Sequence, residues 1–575
     1  MKKIFGLVLA LALLLGAVML LSSCEAPEDP GAEIRVYLGE TVYDLDPTDY
    51  YTSSNADQLM SLIYEPLFTI DEDGDVTCAA ADDYEIDEEK RTITIELRET
   101  YWSDGNRVKA EEYVYAWRTL LLEPTKANPA AALLYDIENA LEIKQGTVST
   151  SEFGAKATLF EITIKCREGA DYEQLIRNLA SVSTSPVRQD AYDQAPTYWS
   201  KTSNILVTNG PFKVSNLNYS TGEFVLERNV GYHQSPAILD YDDEVIPYKL
   251  ISFISASGNK IEYTYEDVEN NIVFYAADAP LADRNADNEN VIVTDDLSTY
   301  TYIFNVQNPL FAKKYVRQAL SLAIDRAVIA STLVYAKPAD GFLPDVVYQN
   351  NQKALIAANS KFEQAEALLE KVDFEGIDKS FTLTINDDDE SKEIAKMVSG
   401  TWEALGFDVT VETVSTTEST IQDMEITDST LQQMLKEASK GNADFDVIGL
   451  DWQMYSSDAF VSLCAFTTEM NGNGVEFFNE NATQAIRPNI IGWSNANYDA
   501  YIKEAYNATD AEIRTEKLQK AEALLVDSAV VVPIVYNQNF AYVSEELSDV
   551  EVNGLGNFVL TEAELDDYKK YLTNN

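Results

Sequence analysis

Three short apolar strands separated by helical stretches, within residues 381–450, restrict the fold of this chain more than any other feature. The strands read FTLTIN, FDVTVET and FDVIGL, with helices expected near residues 391–405 and 418–439. A crossover of that length returns the chain to the same end of a sheet, so successive strands pair in parallel. The rest of the chain alternates in the same way, without an internal repeat or a low-complexity block. Residues 91–97 (RTITIEL) alternate with period two, as a half-buried strand does, and residues 223–228 and 300–306 read as further strands. Residues 110–121 read as a helix. Residues 312–334 predict one long helix, on which Val316, Ala319, Leu320, Ala323, Ile324, Ala327 and Val328 form an apolar stripe. A last helix over 514–527 precedes a buried strand over 530–536, interrupted by Pro533. With 575 residues there is length for two to four domains, and the chain reads as an α/β protein of several lobes.

The charge balance then excludes two classes of partner. Against 96 acidic residues stand 42 Lys and Arg, for a formal charge of −54. Such a surface repels phosphate backbones and anionic headgroups, so nucleic acid is not a partner and membrane attachment cannot be electrostatic. An attachment is nevertheless readable at the N-terminus. Lys2 and Lys3 precede an apolar run over 4–21, and Leu21-Ser22-Ser23-Cys24 follows. The run resembles a bacterial lipobox, which implies cleavage before Cys24 and a diacylglycerol anchor on its thiol. Residues 1–23 are then a lipoprotein signal peptide and 24–32 a tether, leaving 552 residues that carry −56. Eighteen apolar residues are also just long enough to span a membrane, which is the competing reading. Cys78, Cys166 and Cys464 are odd in number and far apart, so either one disulfide or three free thiols is compatible with the sequence.

Enzyme chemistry is tested by subtraction. His233 is the single histidine, so neither an HExxH zinc site nor any two-His metal site exists. No G-x-S-x-G, Walker A or G-x-G-x-x-G motif is present; Gly492-Trp-Ser494-Asn-Ala496 lacks the final Gly. In Asp71-Glu-Asp73-Gly74-Asp75 the glycine sits at position 4 of a would-be calcium loop and Asp82 at position 12, so a hairpin turn is the better reading. No cofactor and no metal are expected. Paired carboxylates remain open among so many acids, and with them a surface hydrolase. A structural or adhesive envelope role without a closing cleft is the remaining class.

Five segments carry a positive signal. They are Leu45-Asp46-Pro47 with Ile63-Tyr64-Glu65-Pro66-Leu67 and Asp73-Gly74; Trp102-Ser103-Asp104-Gly105 with Val114-Tyr115-Ala116-Trp117-Arg118; Asn209-Gly210-Pro211-Phe212 with residues 224–229; Phe304-Asn305 with Val316-Arg317-Gln318-Ala319-Leu320 and Ala323-Ile324-Asp325-Arg326; and Gly492-Trp493-Ser494 through Asp499 with Val532-Pro533-Ile534. In this order, over about 500 residues, they resemble the oligopeptide/dipeptide-binding family of ABC-transporter extracellular solute-binding proteins. Arg107 and Lys109 depart from the Pro and Thr usual there. Loss of a Thr helix cap costs roughly 1 kcal/mol, which Glu111 and Glu112 offset in part through the helix dipole.

The resemblance implies an α/β, two-lobed periplasmic-binding-protein-type fold with an extra inserted domain, hinged around a ligand cleft. Residues 33–68 with 209–303 and 530–575 are expected to form the main domain of lobe I, 69–208 its accessory domain, and 304–529 lobe II, with crossings near 301–305 and 529–533. It further implies a monomeric, non-enzymatic receptor that captures oligopeptides and delivers them to ABC permease subunits. Its place would be the outer face of the cytoplasmic membrane or the periplasm. The ligand contacts are where the sequence departs. After the strand over 445–450 come Asp451, Trp452, Gln453, Met454 and Tyr455, and Tyr455 stands where the family places an Asp that pairs with the peptide's α-ammonium. The loop over 451–455 is expected to face the cleft beyond the strand's carboxyl end, opposite Tyr51, Thr52 and Ser53. Trp452 is either a wall for ligand side chains or core, and a non-peptide cargo (oligosaccharide, opine or metal chelate) is the alternative ligand.

Overall fold

The computed structural model describes residues 33–37, 44–48, 54–122, 128–218, 223–234, 249–253, 274–276, 284, 290–347, 354–414, 430–439, 441–477 and 484–565. The signal peptide and Cys24, the tether, Tyr51, Thr52 and Ser53, and residues 418–429 of the helix expected over 418–439 therefore lie outside the described residues.

Among the described residues, one eleven-stranded sheet organises the molecule. At one end lie Asp408–Val414, Ser380–Asn386 and Val447–Gln453, all parallel, as the crossover lengths require. At the other end Phe212–Asn218, Glu223–Arg228, Lys249–Phe253, Glu33–Tyr37 and Phe274–Ala276 follow one another. Two long antiparallel strands, Val291–Phe304 and Val531–Val543, join these ends. Their register breaks between Asp295 and Thr299, where the partner strand advances only from Tyr536 to Gln538. Extra residues on one strand bend and twist a sheet locally.

A second break carries Pro533. Tyr300 faces Val535 and Thr301 faces Pro533, so Ile534 is the unpaired residue. A proline has no N–H to give a ladder and is tolerated in a central strand at such a bulge. The strand thus runs through Pro533 to Val543, seven residues beyond the expected end. The Pro533 carbonyl accepts a hydrogen bond from Arg326 Nε at 2.7 Å.

That arginine also explains a correction. The single helix expected over 312–334 is two helices, Lys314–Ala323 and Arg326–Leu333. Ile324 is extended, and the Asp325 side chain accepts from Val328 N, capping a new helix. The break turns the fully buried Arg326 toward the sheet and leaves Val328, placed by periodicity in the apolar stripe, 54% exposed. Arg317, on the preceding helix, does comparable work, donating through Nε and Nη2 to the Ser528 carbonyl.

The inserted region builds its own antiparallel sheet, Ala81–Asp87, Thr92–Leu97, Glu161–Lys165 and Ala155–Ala157, covered by the helix Ala110–Leu122. The helix start lacks a Thr cap, but Glu112 Oε2 reaches back to Lys109 N and takes the Trp102 indole N–H, both at 2.8 Å. This is the carboxylate half of a capping box, so Glu112 satisfies a backbone N–H directly as well as facing the helix dipole. Asp71–Asp75 closes a hairpin between Phe68–Ile70 and Val76–Cys78, with the Asp71 carboxylate taking the N–H groups of Asp73 and Asp75. Cys78, Cys166 and Cys464 are all free thiols. No helix among the described residues is long and apolar enough to cross a membrane.

Candidate functional site

The strand that ends in the expected cleft loop is longer than its sequence suggests. It runs Val447–Gln453, so Asp451, Trp452 and Gln453 lie in it, opposite Tyr300, Thr299 and Ser298, and Trp452 is not beyond the strand's end as expected. The reason is the partner: Val291–Phe304 continues past the point where apolar patterning stops, and its backbone pairs with polar residues equally well.

Alternation sends neighbouring side chains to opposite faces. Trp452, half-buried, stacks obliquely on Phe466 with ring centres 4.9 Å apart and meets the edge of Phe342 at 6.0 Å. Phe342 sits on a loop held from three directions. Glu522 Oε1 accepts the N–H groups of Phe342 and Leu343 at 2.8 and 2.9 Å, Thr299 Oγ1 donates to the Phe342 carbonyl, and Gly341 N donates to the Tyr536 hydroxyl. Burial pushes the Glu522 carboxyl up to about 7 against those two N–H groups. Phe342 and Phe466 escaped the sequence reading, and Glu522, on the helix that follows the fifth family-like segment, was given no role at the site. The available signal was an acid in the apolar stripe of the helix Ala511–Ser528, between Leu518, Ala521 and Leu525.

Asp451 points away from Trp452. Its Oδ1 accepts from Asn537 Nδ2 at 2.5 Å, and that amide also donates to Ser298 Oγ. Burial pushes the Asp451 carboxyl up to about 7, with Asp388, Glu390 and Asp296 adding to the rise. Gln453 is buried and donates to Asp296 Oδ1, while Met454 is buried with its N–H on the Leu297 carbonyl. The register break is therefore lined by Asp295, Asp296, Ser298, Gln453 and Asn537, with Lys337 bonded to Asp295 at 2.7 Å. Tyr455 is half-buried against the apolar core. Asp458, the next acid after Tyr455, is 2% exposed and doubly bonded to Arg514 Nη2 at 2.9 and 3.0 Å. It also caps the helix Ala459–Cys464, so it is committed structurally. That helix packs on the 3₁₀ turn Pro129–Leu134 of the inserted region. Among the described residues no cluster of three or more His, Cys, Asp or Glu is arranged to hold a metal.

The profile described as bacterial extracellular solute-binding proteins, family 5 middle, matches residues 75–474. The chain belongs to this family. Curated relatives span almost its whole length. The dipeptide-binding protein DppE of Bacillus subtilis is 24% identical over 93% of this chain and 94% of its own. The probable deoxycholate-binding periplasmic protein YgiS of Escherichia coli is 26% identical over 86% and 85%. Among solved structures, Haemophilus influenzae OppA in complex with RPPGFSPFR superposes with a TM-score of 0.73 at 22% identity, covering 94% of this chain and all of that one. The murein tripeptide-binding protein MppA of E. coli, 21% identical, matches twice over 93% of this chain, covering 98% and 97% of its own. The score is 0.72 for one structure and 0.58 for its unliganded open form. The family 5 fold is thus two-lobed here as well, and the chain is an extracellular-type solute-binding protein.

Proposed function

We propose that this chain is a lipid-anchored receptor that captures oligopeptides outside the cytoplasmic membrane and hands them to an ABC importer, with no enzymatic step. The observation that carries this reading is the pair of long strands joining two sheet halves across a register break, in a chain of family 5. We place the crossings between the lobes near residues 301–305 and 529–533, next to the register break at 295–299 and 536–538, with lobe I formed by 33–68, 209–303 and 530–575, its accessory domain by 69–208, and lobe II by 304–529. Closure about such a break is the motion expected of clefts that engulf a ligand. Main-chain groups at the strand end would hold a peptide backbone irrespective of its side chains, and the Trp452, Phe342 and Phe466 rings would wall one side-chain position. The peptide assignment draws support from the names of DppE and of the OppA complex. The test is a thermal-shift screen of residues 25–575 against peptide pools, with native mass spectrometry of whatever co-purifies. A folded protein that responds to no pool ends the peptide claim.

Two mutations extend the test. Trp452→Ala is expected to weaken binding of the best-responding peptide by about 1–3 kcal/mol, as a partly buried aromatic anchor does. Titration calorimetry alongside circular dichroism checks it, and equal affinity in a folded variant would move the site elsewhere. Cys24→Ala is expected to abolish palmitate labelling and signal cleavage in the source bacterium; unchanged labelling removes the anchor. Two acyl chains on one thioether make such an anchor stable.

A second reading keeps the receptor and changes the cargo to a non-peptide. It is favoured by YgiS among the relatives and by Tyr455, with Asp458 tied to Arg514. A steroid, sugar or chelate mass in the native spectrum selects it.

A further inference from the structure

We propose that Asn178 and Arg167, both in the accessory domain, clasp lobe II and set how long the receptor stays closed, without touching ligand; this rests on the closing, two-lobed reading above. Asn178 ends the helix Tyr172–Asn178 and is 3% exposed. Its amide is used at both ends on one short lobe II segment. Oδ1 accepts from Ser456 Oγ at 2.7 Å, and Nδ2 donates to Asp458 Oδ2 at 3.3 Å. Ser456 Oγ in turn accepts from Asp458 N, and the Asp458 carboxylate is fixed by Arg514. The receiving surface is therefore rigid before Asn178 meets it.

Arg167 makes the second contact. Paired with Asp136 at 2.5 Å in its own domain, it lays its guanidinium 3.7 Å over the Tyr506 ring and donates to the Tyr506 carbonyl. The Tyr506 hydroxyl answers by donating to the Tyr135 carbonyl at 3.0 Å. A third contact runs backbone to backbone, from Asn128 N to the Gly472 carbonyl at 2.9 Å. There a side chain on Gly472 would lie 2.5 Å from the Asn128 oxygen, so the approach admits glycine only.

These clasp groups are polar and directional, and they lie beside apolar packing of the helix Ala459–Cys464 on the turn Pro129–Leu134. Water satisfies the polar groups once the lobes part, so each bond adds only the modest net value of a hydrogen bond to the closed state and tunes it without locking it. The better superposition on one MppA structure than on its open form agrees with a seam that is made in this arrangement. A closed state stabilised by contacts remote from ligand raises apparent affinity by raising the competent fraction.

The experiment measures lobe separation directly. Residues 25–575 carrying Cys78→Ser receive nitroxides at Leu159→Cys and Val328→Cys, exposed positions on the two lobes; Cys166 and Cys464 are buried. Pulsed electron–electron distances are recorded for this protein and for Asn178→Asp, each with and without a pool of tri- to nonapeptides. The parent is expected to show a short-distance population. Asn178→Asp sets a carboxylate against Asp458 and should lower the short-to-long ratio about tenfold, the scale of losing a hydrogen bond to a charged acceptor. Equal ratios, or a parent without any short-distance population, overturn the clasp. If peptides change nothing while Asn178→Asp still lengthens the distances, the clasp stands and the peptide reading falls. Should Asn178→Asp fail to fold, Arg167→Lys, which loses the planar seat on Tyr506, is judged by the same ratios.

Discussion

Gly210→Ala is expected to destabilise the folded protein by about 3 kcal/mol or more, although the position is in a loop and only one methyl is added. A Cβ there would lie 2.5 Å from the Ile63 carbonyl carbon and 2.6 Å from Tyr64 N, backbone atoms that cannot rotate aside. The approach is close because Gly210 N donates to the Ile63 carbonyl at 2.9 Å. Next to it, the fully buried Asn209 takes the Glu65 N–H and donates to the Glu65 carbonyl. The Glu65 carboxylate then receives the Tyr232 hydroxyl and faces His233 Nε2 at 2.8 Å, so the lone histidine is tied into the same knot. Adding the methyl group loosens this whole knot, whose Asn209–Glu65 bonds join residues 144 apart in the chain. Urea unfolding monitored by tryptophan fluorescence gives the answer. A midpoint free energy within about 0.5 kcal/mol of the parent, the range of an ordinary surface change, would mean that the knot yields.

The stability of this protein should also fall as the pH rises from 5 to 8. Glu522 and Asp451 are both held near 7 in the folded state, by burial first, against ordinary values of 4.5 and 3.8. Between those limits the native state keeps a proton that the unfolded chain gives up. The stabilising contribution is complete below the unfolded pKa and is lost as the pH passes the folded one. For Glu522 the loss is on the order of 3 kcal/mol, and Asp451 acts in the same direction. Glu522→Gln and Asp451→Asn should each flatten the profile while leaving the other contribution in place. Urea midpoints taken every half pH unit decide it, and a wild-type profile as flat as that of Glu522→Gln would sink the assignment. Because Glu522 holds the Phe342 loop and Asp451 lies beside the hinge residues, the same titrations would be felt at the site.

Period and crossover length made the parallel βαβαβ region, the helix Ala110–Leu122 and the strand Thr92–Leu97 legible in the sequence, since each depends on local patterning alone. Patterning failed where a distant partner decided the outcome. Pairing with Val291–Phe304 extends Val447–Gln453 by Asp451, Trp452 and Gln453, and Pro533 stays in a central strand because Arg326 and a bulge accommodate it. The break at Asp325 was missed for a related reason: the apolar stripe continues across it, while the aspartate cap interrupts the backbone. Trp452 and Asp451 were found as residues, but their opposite orientations follow from the strand and not from a loop. Phe342 and Glu522 reach the site from 110 residues before and 70 residues after Trp452, and nothing in local spacing links them.

The position of Val531–Val543 in the sheet has a consequence for biosynthesis. This strand lies between Val291–Phe304 and Phe274–Ala276, so the two halves of the sheet have no shared neighbour until residue 543 has been made. At about 5–20 residues per second, a ribosome needs roughly half a minute to two minutes to reach it. Throughout that time the chain has lobes' worth of strands and no central ladder to join them. A polypeptide that must be threaded in extended form through a narrow channel gains from such an arrangement, because the last strand of its main sheet to appear is also the one that joins the two halves of that sheet.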